Sequence, residues 1–213
     1  MNAAKPAVAP VVSQTIEDIL LAAEAEFAER GFEGAGMKAI SVKAAVSQAL
    51  LHYHFGTKER LYAEVIAQRS KKINDERNAL LDQIDLTAAD ALDRIFEALF
   101  RPPLGPAGGE RPYARIFSGL VVGRERNQAL VKEHYDPTAK RFVAVLRRVI
   151  PAGDQGTAAL CYSLALGSLI AMIGRDGRVE RLMGRDAPLK TEEILRLLIA
   201  HAKGGALALI SQT

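Results

Sequence analysis

The chain contains little that would cross-link a secreted protein or perform catalysis. Its 213 residues include a single cysteine, Cys161, so no intrachain disulfide can form, which fits a protein of the reducing cytoplasm. Zinc-ligand spacing, a glycine-rich phosphate loop and a nucleophile elbow are all missing. His52 and His54 lie two apart on a predicted helix and point in different directions, so they cannot easily share a metal. The sequence therefore predicts no enzyme activity, no metal site and no cofactor.

Long apolar runs and strand signals are also scarce. The most apolar stretch, residues 158–173, is shorter than the roughly 20 residues that span a bilayer, and it contains Tyr162 and Ser163. We interpret it as a buried helix of a protein without a membrane span. Alternating β-branched runs bounded by turn pairs do not occur, whereas apolar residues recur at helical spacing throughout. The sequence predicts an all-α fold of about nine helices.

Breakers and helix-start residues divide the chain into three predicted regions. Residues 1–12 contain Pro6 and Pro10 and lack the continuous apolar segment of a signal peptide, so we expect a flexible tail. Residues 13–57 are predicted to form an N-terminal domain of three helices. Residues 58–213 are predicted to form a C-terminal helical domain.

Charge is unevenly distributed, although its total is small. The formal net charge is +3 at pH 7. Residues 1–33 carry two bases and six acids, whereas residues 34–72 carry seven bases and two acids, a net charge of +5. Such a basic block either binds phosphate or forms a solvated face, and charge alone favours the solvated face.

The stretch MKAISVKAAVSQALLHYHFGTK, residues 37–58, carries the functional signal. It divides into a short helix, a tight turn that ends at Ser47 and a second short helix, with Ile40, Val46 and Leu51 spaced to pack the two helices together. Two helices joined in this way form a helix-turn-helix, whose second helix fits the major groove of DNA. Ser47 is expected to cap that helix, whose free N–H groups then face phosphate.

The residue types on the second helix suit contacts with bases and with the DNA backbone. Gln48 can pair with adenine, Ala49 is small enough to allow close approach, and Leu50 can contact a thymine methyl group. The side chains expected to reach phosphate or sugar are His52, Tyr53, His54 and Lys58. A plain helical hairpin in a core would explain the apolar positions, but it would not explain this polar row.

The run FAERGFEGAGMKAISVKAAVSQALLHYHFGTKERLYAEV resembles the DNA-binding region of the tetracycline-repressor (TetR) family, over about residues 13–70. The resemblance implies that double-stranded operator DNA is the partner. The positions that match DNA contacts in that family are Met37, Lys38, Ser47, Gln48, Ala49, Leu50, His52, Tyr53, His54 and Lys58. Ala45 and Ala49 depart from the usual pattern because they stand where glycine is frequent, and His52 stands where tyrosine is usual.

The same resemblance implies that the C-terminal domain dimerises and holds an effector cavity. Apolar side chains on its helices would enclose a small hydrophobic effector, which His134 or Tyr162 would orient. The candidate ligand-binding residues are Phe96, Phe100, Phe117, Leu120, His134, Phe142, Tyr162, Leu166 and Met172. Taken singly, each also fits an ordinary core position. Residues 117–151 loosely resemble regulators that sense fatty-acid-like or other hydrophobic effectors.

These observations favour a ligand-responsive regulator of transcription. We expect a homodimer, joined by helices at about 155–173 and 191–210, that acts as a repressor and leaves a palindromic operator when a hydrophobic small molecule binds. The alternative is an all-α ligand carrier or enzyme whose helix-turn-helix no longer binds DNA.

Overall fold

The computed structural model describes residues 9–108, 110–121, 125–150, 154–174 and 177–210. Within these ranges the chain forms eleven α-helices and one short 3-10 helix, and no residue is in a strand. The predicted all-α fold is confirmed, with two helices more than the nine expected.

The helices follow one another through short connections. Those of the first half are α1 (Ala9–Gly34), α2 (Met37–Lys43), α3 (Gln48–Phe55), α4 (Lys58–Leu81), α5 (Ala91–Leu104) and α6 (Glu110–Val121). Those of the second half are α7 (Glu125–His134), α8 (Asp136–Val149), α9 (Gln155–Ile173), α10 (Arg178–Leu182) and α11 (Thr191–Ile210). Helices α7 and α8 are separate, with Pro137 in the first turn of α8, and α10 is a short helix in the connection between α9 and α11.

The first helix begins before the expected end of the tail. Residues 1–8 of the predicted tail lie outside the described residues, and residues 9–12 form the first turn of α1. Pro10 is compatible with this turn because the N–H that proline lacks would have no partner there. At its other end, α1 is broken by Gly31, whose φ of 67° and ψ of 174° are not helical.

Two compact units make up the chain: unit 1 ends at Gln68 and unit 2 begins at Arg69. The predicted boundary lay before Lys58. The structural division falls later because the first turns of α4 belong to unit 1. There the Tyr62 ring lies edge-on to the rings of Phe27 and Phe32, with centroids 5.0 and 5.1 Å apart.

Unit 2 has its own apolar core, built from α5, α8, α9 and α11. On α5 the side chains of Ile95, Phe96, Leu99 and Phe100 are fully buried, and burying each such side chain contributes about 1.5–3 kcal/mol. The core continues through α8 and α9, where Phe142 is fully buried. The helical spacing of these residues is the sequence property that positions the core.

Helix α9 departs from the expectation of a fully buried helix. Only five of its residues are buried, and these are Ala158, Cys161, Tyr162, Ala165 and Leu169. On the opposite face Leu160 and Leu164 keep 56% and 60% of their surface exposed. By length and composition α9 is the one helix among the described residues that could cross a membrane. Its burial on a single face leaves an apolar surface that nothing within the described part of the chain covers.

Candidate DNA-reading surface and effector core

The turn between α2 and α3 has the backbone geometry of a Schellman motif. The N–H of Ala45 donates to the carbonyl of Val42 (3.1 Å), and the N–H of Val46 donates to the carbonyl of Ser41 (2.9 Å). This pattern needs a left-handed residue, and Ala45 supplies it with a φ of 54°. A Cβ in that conformation costs about 1–2 kcal/mol, so the departure from the glycine usual at this position is a real strain.

Ser47 caps α3 as predicted. Its backbone is extended, with a φ of −72° and a ψ of 149°, and its Oγ accepts a hydrogen bond from the N–H of Leu50 at 3.1 Å. The remaining N–H groups of the first turn keep the positive end of the helix dipole at the surface. Gln48 and Ala49 are exposed at this end. The turn and the cap together fix how the first residues of α3 face solvent.

The predicted DNA-contact residues lie on α2, on α3 and its N-cap, and at the start of α4. The exposed ones are Lys38, Ser47, Gln48, Ala49, His52 and Tyr53, and the half-buried ones are Met37, Leu50, His54 and Lys58. Tyr53 is 82% exposed and Val42, on α2, is 73% exposed, although both are large and apolar in part. A surface with such side chains standing in solvent is typical of a contact surface rather than of a closed core.

His52 is committed through one of its ring nitrogens. Its Nδ1 lies 2.7 Å from the carbonyl oxygen of Gly56, which can only accept, so Nδ1 carries the proton in that bond. In the neutral ring Nε2 is then an acceptor. His52 can therefore donate to a phosphate only when it is protonated, unlike the tyrosine that is usual at this position.

Lys58 is already engaged inside unit 1. Its Nζ donates to the carbonyl of Ala35 at 3.1 Å and, more weakly, to that of Glu33 at 3.4 Å. It also lies 4.6 Å from the centroid of the Phe32 ring. Lys58 thus holds the end of α1 against the start of α4, a role that the sequence did not indicate.

Fewer side chains of the basic block are available to bind phosphate than its net charge suggests. Lys43 forms an ion pair with buried Glu26 at 3.0 Å, and Lys71 pairs with Asp75 at 2.5 Å. Arg69 is buried and donates to the carbonyl of Ala107 at 3.4 Å. Within the described ranges, the basic side chains of this block that form no ion pair or hydrogen bond are Lys38, Arg60 and Lys72.

The predicted ligand-binding residues lie mostly in the core of unit 2. Those that are buried are Phe96, Phe100, Phe117, Leu120, Phe142 and Tyr162, whereas His134, Leu166 and Met172 are half-buried. The rings of Phe96 and Phe100 stack with centroids 6.0 Å apart, and Phe142 lies at the same distance from Tyr162. In this structure the aromatic side chains pack against one another.

A cavity of about 770 Å³ lies in unit 2 among residues of α5, α6, α9, α10 and α11. Of the predicted ligand-binding residues, only Met172 borders it. Its other apolar walls include Pro103, Leu104, Ala114, Ile173 and Ile194. Its charged walls are Arg115, Glu180, Arg181, Arg185 and Asp186, so the lining has three bases and two acids. The volume is in the usual range for a small-molecule site.

Unit 2 contains a buried polar cluster, formed by Arg77, Tyr113 and Tyr135, that the sequence analysis did not predict. Arg77 is 1% exposed, and its Nε and Nη2 donate to the carbonyl of Leu99 at 3.1 and 3.0 Å. Burial lowers the pKa of Arg77. Close by, the hydroxyl groups of Tyr113 and Tyr135 are hydrogen-bonded to each other at 2.5 Å.

A sequence signal for this cluster existed. Along α4 the residues Asn74, Arg77 and Asn78 recur at spacings of three and four, next to the apolar positions Ile73 and Leu81. Polar residues at the inward positions of a helix indicate a buried network rather than a plain core. Among the described residues no group of three or more His, Cys, Asp or Glu side chains could hold a metal ion.

Family comparisons cover both units. The model of the bacterial regulatory proteins of the tetR family matches residues 19–65. That of the tetracyclin repressor-like C-terminal domain matches residues 94–205, which is more than half of the chain. A helix-turn-helix with a capped, exposed second helix belongs to the class of DNA-binding regulators. The chain is a member of the TetR family of transcriptional regulators.

Solved structures of the same architecture come from several bacteria. PfmR, a TetR family transcriptional regulator from Thermus thermophilus, is 25% identical with a TM-score of 0.63, covering 86% of this chain and 96% of that one. A TetR-like transcriptional regulator from a Rhodococcus species is 22% identical with a TM-score of 0.64, covering 90% and 94%.

The fatty acid degradation regulator FadR from Bacillus halodurans is 15% identical with a TM-score of 0.61, covering 86% of this chain and 97% of that one. At these lower identities the likeness shows a shared fold. A comparison with curated proteins gave no match.

Proposed function

We propose that this protein is a cytoplasmic transcriptional repressor that binds a palindromic operator as a homodimer and leaves it when a small hydrophobic molecule binds unit 2. The observation that carries the proposal is the start of α3, where Ser47 caps the helix and Gln48 and Ala49 stand exposed. Free N–H groups at this end suit phosphate, and the Gln48 amide suits adenine.

Dimerisation is supported by two exposed stripes on neighbouring long helices. On α9 the stripe is Leu160, Leu164, Gly167 and Ala171, and on α11 it includes Leu197, Ala200 and Gly204. A Cβ added at Gly167 or at Gly204 would meet no other atom within 4 Å. Leucines next to small residues allow close approach between helices of two copies. A second copy of the chain covers this surface better than lipid does, because the other face of α9 packs against α6, α8 and α11.

The hydrophobic effector is supported by the composition of unit 2 and by one relative. The aromatic core and the 770 Å³ cavity both lie in this unit. FadR from Bacillus halodurans, which shares the fold, is a regulator of fatty acid degradation. A ligand that binds the DNA-incompetent state more tightly must lower operator affinity by linkage.

The experiment is a binding titration with duplexes from the DNA that flanks the coding region of this protein. We expect one duplex to bind much more tightly than scrambled DNA of the same length, with affinity that falls steeply as salt rises. Gln48→Ala should lose discrimination mainly at one base pair in each half-site, by about 1–3 kcal/mol. Gln83→Ala, an exposed glutamine of unit 2, is the matched control and should bind as the wild type does.

The alternative function, a helical carrier or enzyme with an inactive helix-turn-helix, predicts a different result. In that case every flanking duplex would bind no better than scrambled DNA, even at low salt. Gln48→Ala and Gln83→Ala would then be indistinguishable. Such an outcome would refute the repressor proposal.

A further inference from the structure

The Arg77 guanidinium is a full positive charge in the interior of unit 2. It is 1% exposed, and its contacts are the carbonyl of Leu99 and, at 3.5 Å, the Oδ1 of Asn74. Within the described residues no carboxylate forms an ion pair with it, and the groups whose charge acts on it are Tyr113, Tyr135 and Tyr162. A buried charge without a counter-charge is costly, so its presence calls for a reason.

Part of that reason is local to α5. The Leu99 carbonyl would normally accept from the N–H four residues later, but that residue is Pro103, which has none. Arg77 supplies the missing donors through Nε and Nη2. A neutral amide such as that of a glutamine would serve the same carbonyl. The backbone contact therefore explains a donor at this position and does not explain a charge.

The surroundings of Arg77 suit an anion. The paired hydroxyl groups of Tyr113 and Tyr135 donate as readily as they accept. Burial raises the pKa of Tyr135, so its hydroxyl group stays protonated and cannot itself neutralise the arginine. The Tyr162 ring lies 6.0 Å from that of Phe142, which joins the polar cluster to the apolar core.

The cavity of unit 2 is lined by sequence neighbours of this cluster, although Arg77, Tyr113 and Tyr135 do not border it themselves. Its wall includes Pro103, one helical turn after Leu99, and Ala114, the residue after Tyr113. The cavity has apolar walls together with three arginines and two acids. An amphipathic molecule with a negative end fits this lining, and its head would reach Arg77 by displacing the Leu99 carbonyl, one helical turn before Pro103.

From this geometry we infer that the effector is an organic anion, with an apolar body and a carboxylate or similar compact head that binds Arg77. A guanidinium binds a carboxylate through two parallel N–H···O bonds, which are stronger than bonds to a neutral carbonyl. The head competes with the Leu99 carbonyl for Arg77, and α4 and α5 are the helices that this exchange affects. The inference rests on the proposed function in taking unit 2 to be an effector domain.

The test measures ligand binding without DNA. Melting temperatures and dissociation constants are recorded with straight-chain alkanoates of about eight to fourteen carbons, with 4-phenylbutyrate, and with the alcohol that matches each acid. We expect at least one acid to raise the melting temperature of the wild type in a saturable way, and its alcohol to bind about tenfold more weakly or worse. If no acid binds, or if every alcohol binds as tightly as its acid, the inference is wrong.

Arg77→Met removes the charge and keeps most of the volume, while Lys72→Met removes an exposed charge from the same helix. We expect Arg77→Met to lose the preference for the acid and Lys72→Met to keep it. A folded Arg77→Met that still prefers the acid would overturn the assignment of Arg77. If Arg77→Met shows no cooperative unfolding, Tyr135→Phe takes its place, because it removes one hydroxyl from the cluster and keeps the ring.

Tyr135→Phe should bind the acid several-fold more weakly and the alcohol unchanged, and an unaltered acid affinity would refute the site. The result is independent of the operator titration. Acid binding through Arg77 in a protein that fails to bind DNA would leave the ligand class standing and remove the repressor function. Operator binding without acid binding would leave the repressor function standing and remove the ligand class.

Discussion

Units 1 and 2 hold their candidate sites in opposite ways. In unit 1 the start of α3 is on the surface, and the bonds that form its turn and its cap join residues three to five apart, such as Leu50 to Ser47 and Val46 to Ser41. In unit 2 the polar cluster is inside, and the bonds between its helices, such as Arg77 to Leu99 and Tyr113 to Tyr135, join residues 22 apart. Local bonds can be inferred from a short stretch of sequence, whereas distant ones need the fold.

The difference also sets what a substitution does. An exposed side chain such as Gln48 contacts little of its own chain, so changing it alters binding and leaves stability nearly unchanged. A buried polar side chain such as Arg77 contributes to both, because removing it strands its partners. Sites on the surface can therefore be tested by simple deletion, and sites in the interior need paired variants.

The largest expected effect concerns the exposed stripes of α9 and α11, which form the proposed dimer surface of unit 2. Leu164→Arg combined with Leu197→Arg places two charges where we propose that a second copy packs, and we expect monomers in sedimentation at micromolar concentration. DNA affinity should fall by about 100-fold or more, because the two α3 helices then no longer bind as a linked pair. Unit 1 is unchanged in this variant, so its loss of affinity would come from the assembly alone.

Leu198 provides the contrast for this experiment. It is adjacent in sequence to Leu197 but is only 4% exposed and belongs to the core of its own chain. Leu198→Arg should therefore unfold the protein, whereas the double variant should keep the helix content and melting behaviour of a folded chain. A wild type that is already monomeric, or a double variant that stays dimeric, would contradict the proposed interface.

The sequence was sufficient for most of unit 1. The all-α fold and the cap at Ser47 followed from residue types with strong local preferences. The sequence did not indicate that Lys58 binds the carbonyl of Ala35, because that contact spans 23 residues. In unit 2 the missed Arg77 depends on a carbonyl that Pro103 leaves without a donor, which is evident only once α4 and α5 are seen to pack together.

Lys38 and Lys58 allow the same comparison within unit 1, because Lys38 is exposed whereas Lys58 donates to backbone carbonyls of its own chain. Lys38→Ala should weaken binding to all duplexes and reduce the slope of log affinity against log salt by about 0.9 for each lost phosphate contact, so about 2 for a dimer, with no change in stability. Lys58→Ala should weaken binding too, and it should also lower the free energy of unfolding by about 1 kcal/mol through the lost carbonyl contacts. Urea denaturation measures this difference in the free energy of unfolding between the two variants. Equal stability of both variants would show that the Lys58 contacts contribute nothing.

The smallest expected effect tests the strained turn of the helix-turn-helix. Ala45 has a φ of 54°, and glycine adopts this conformation without a clash. Ala45→Gly removes a strain of about 1–2 kcal/mol but adds about 0.4–1 kcal/mol of chain entropy to the unfolded state, so we expect a net stabilisation of about 0.5–1 kcal/mol. Ala39→Gly is the matched control, because Ala39 is exposed on α2, the helix before this turn, and has ordinary helical geometry. There the same substitution should destabilise by about 0.5–1 kcal/mol. Urea denaturation of both variants measures the two signs. If both variants lose stability equally, the left-handed residue is not strained, and the unusual alanine has no thermodynamic consequence for the DNA-reading unit.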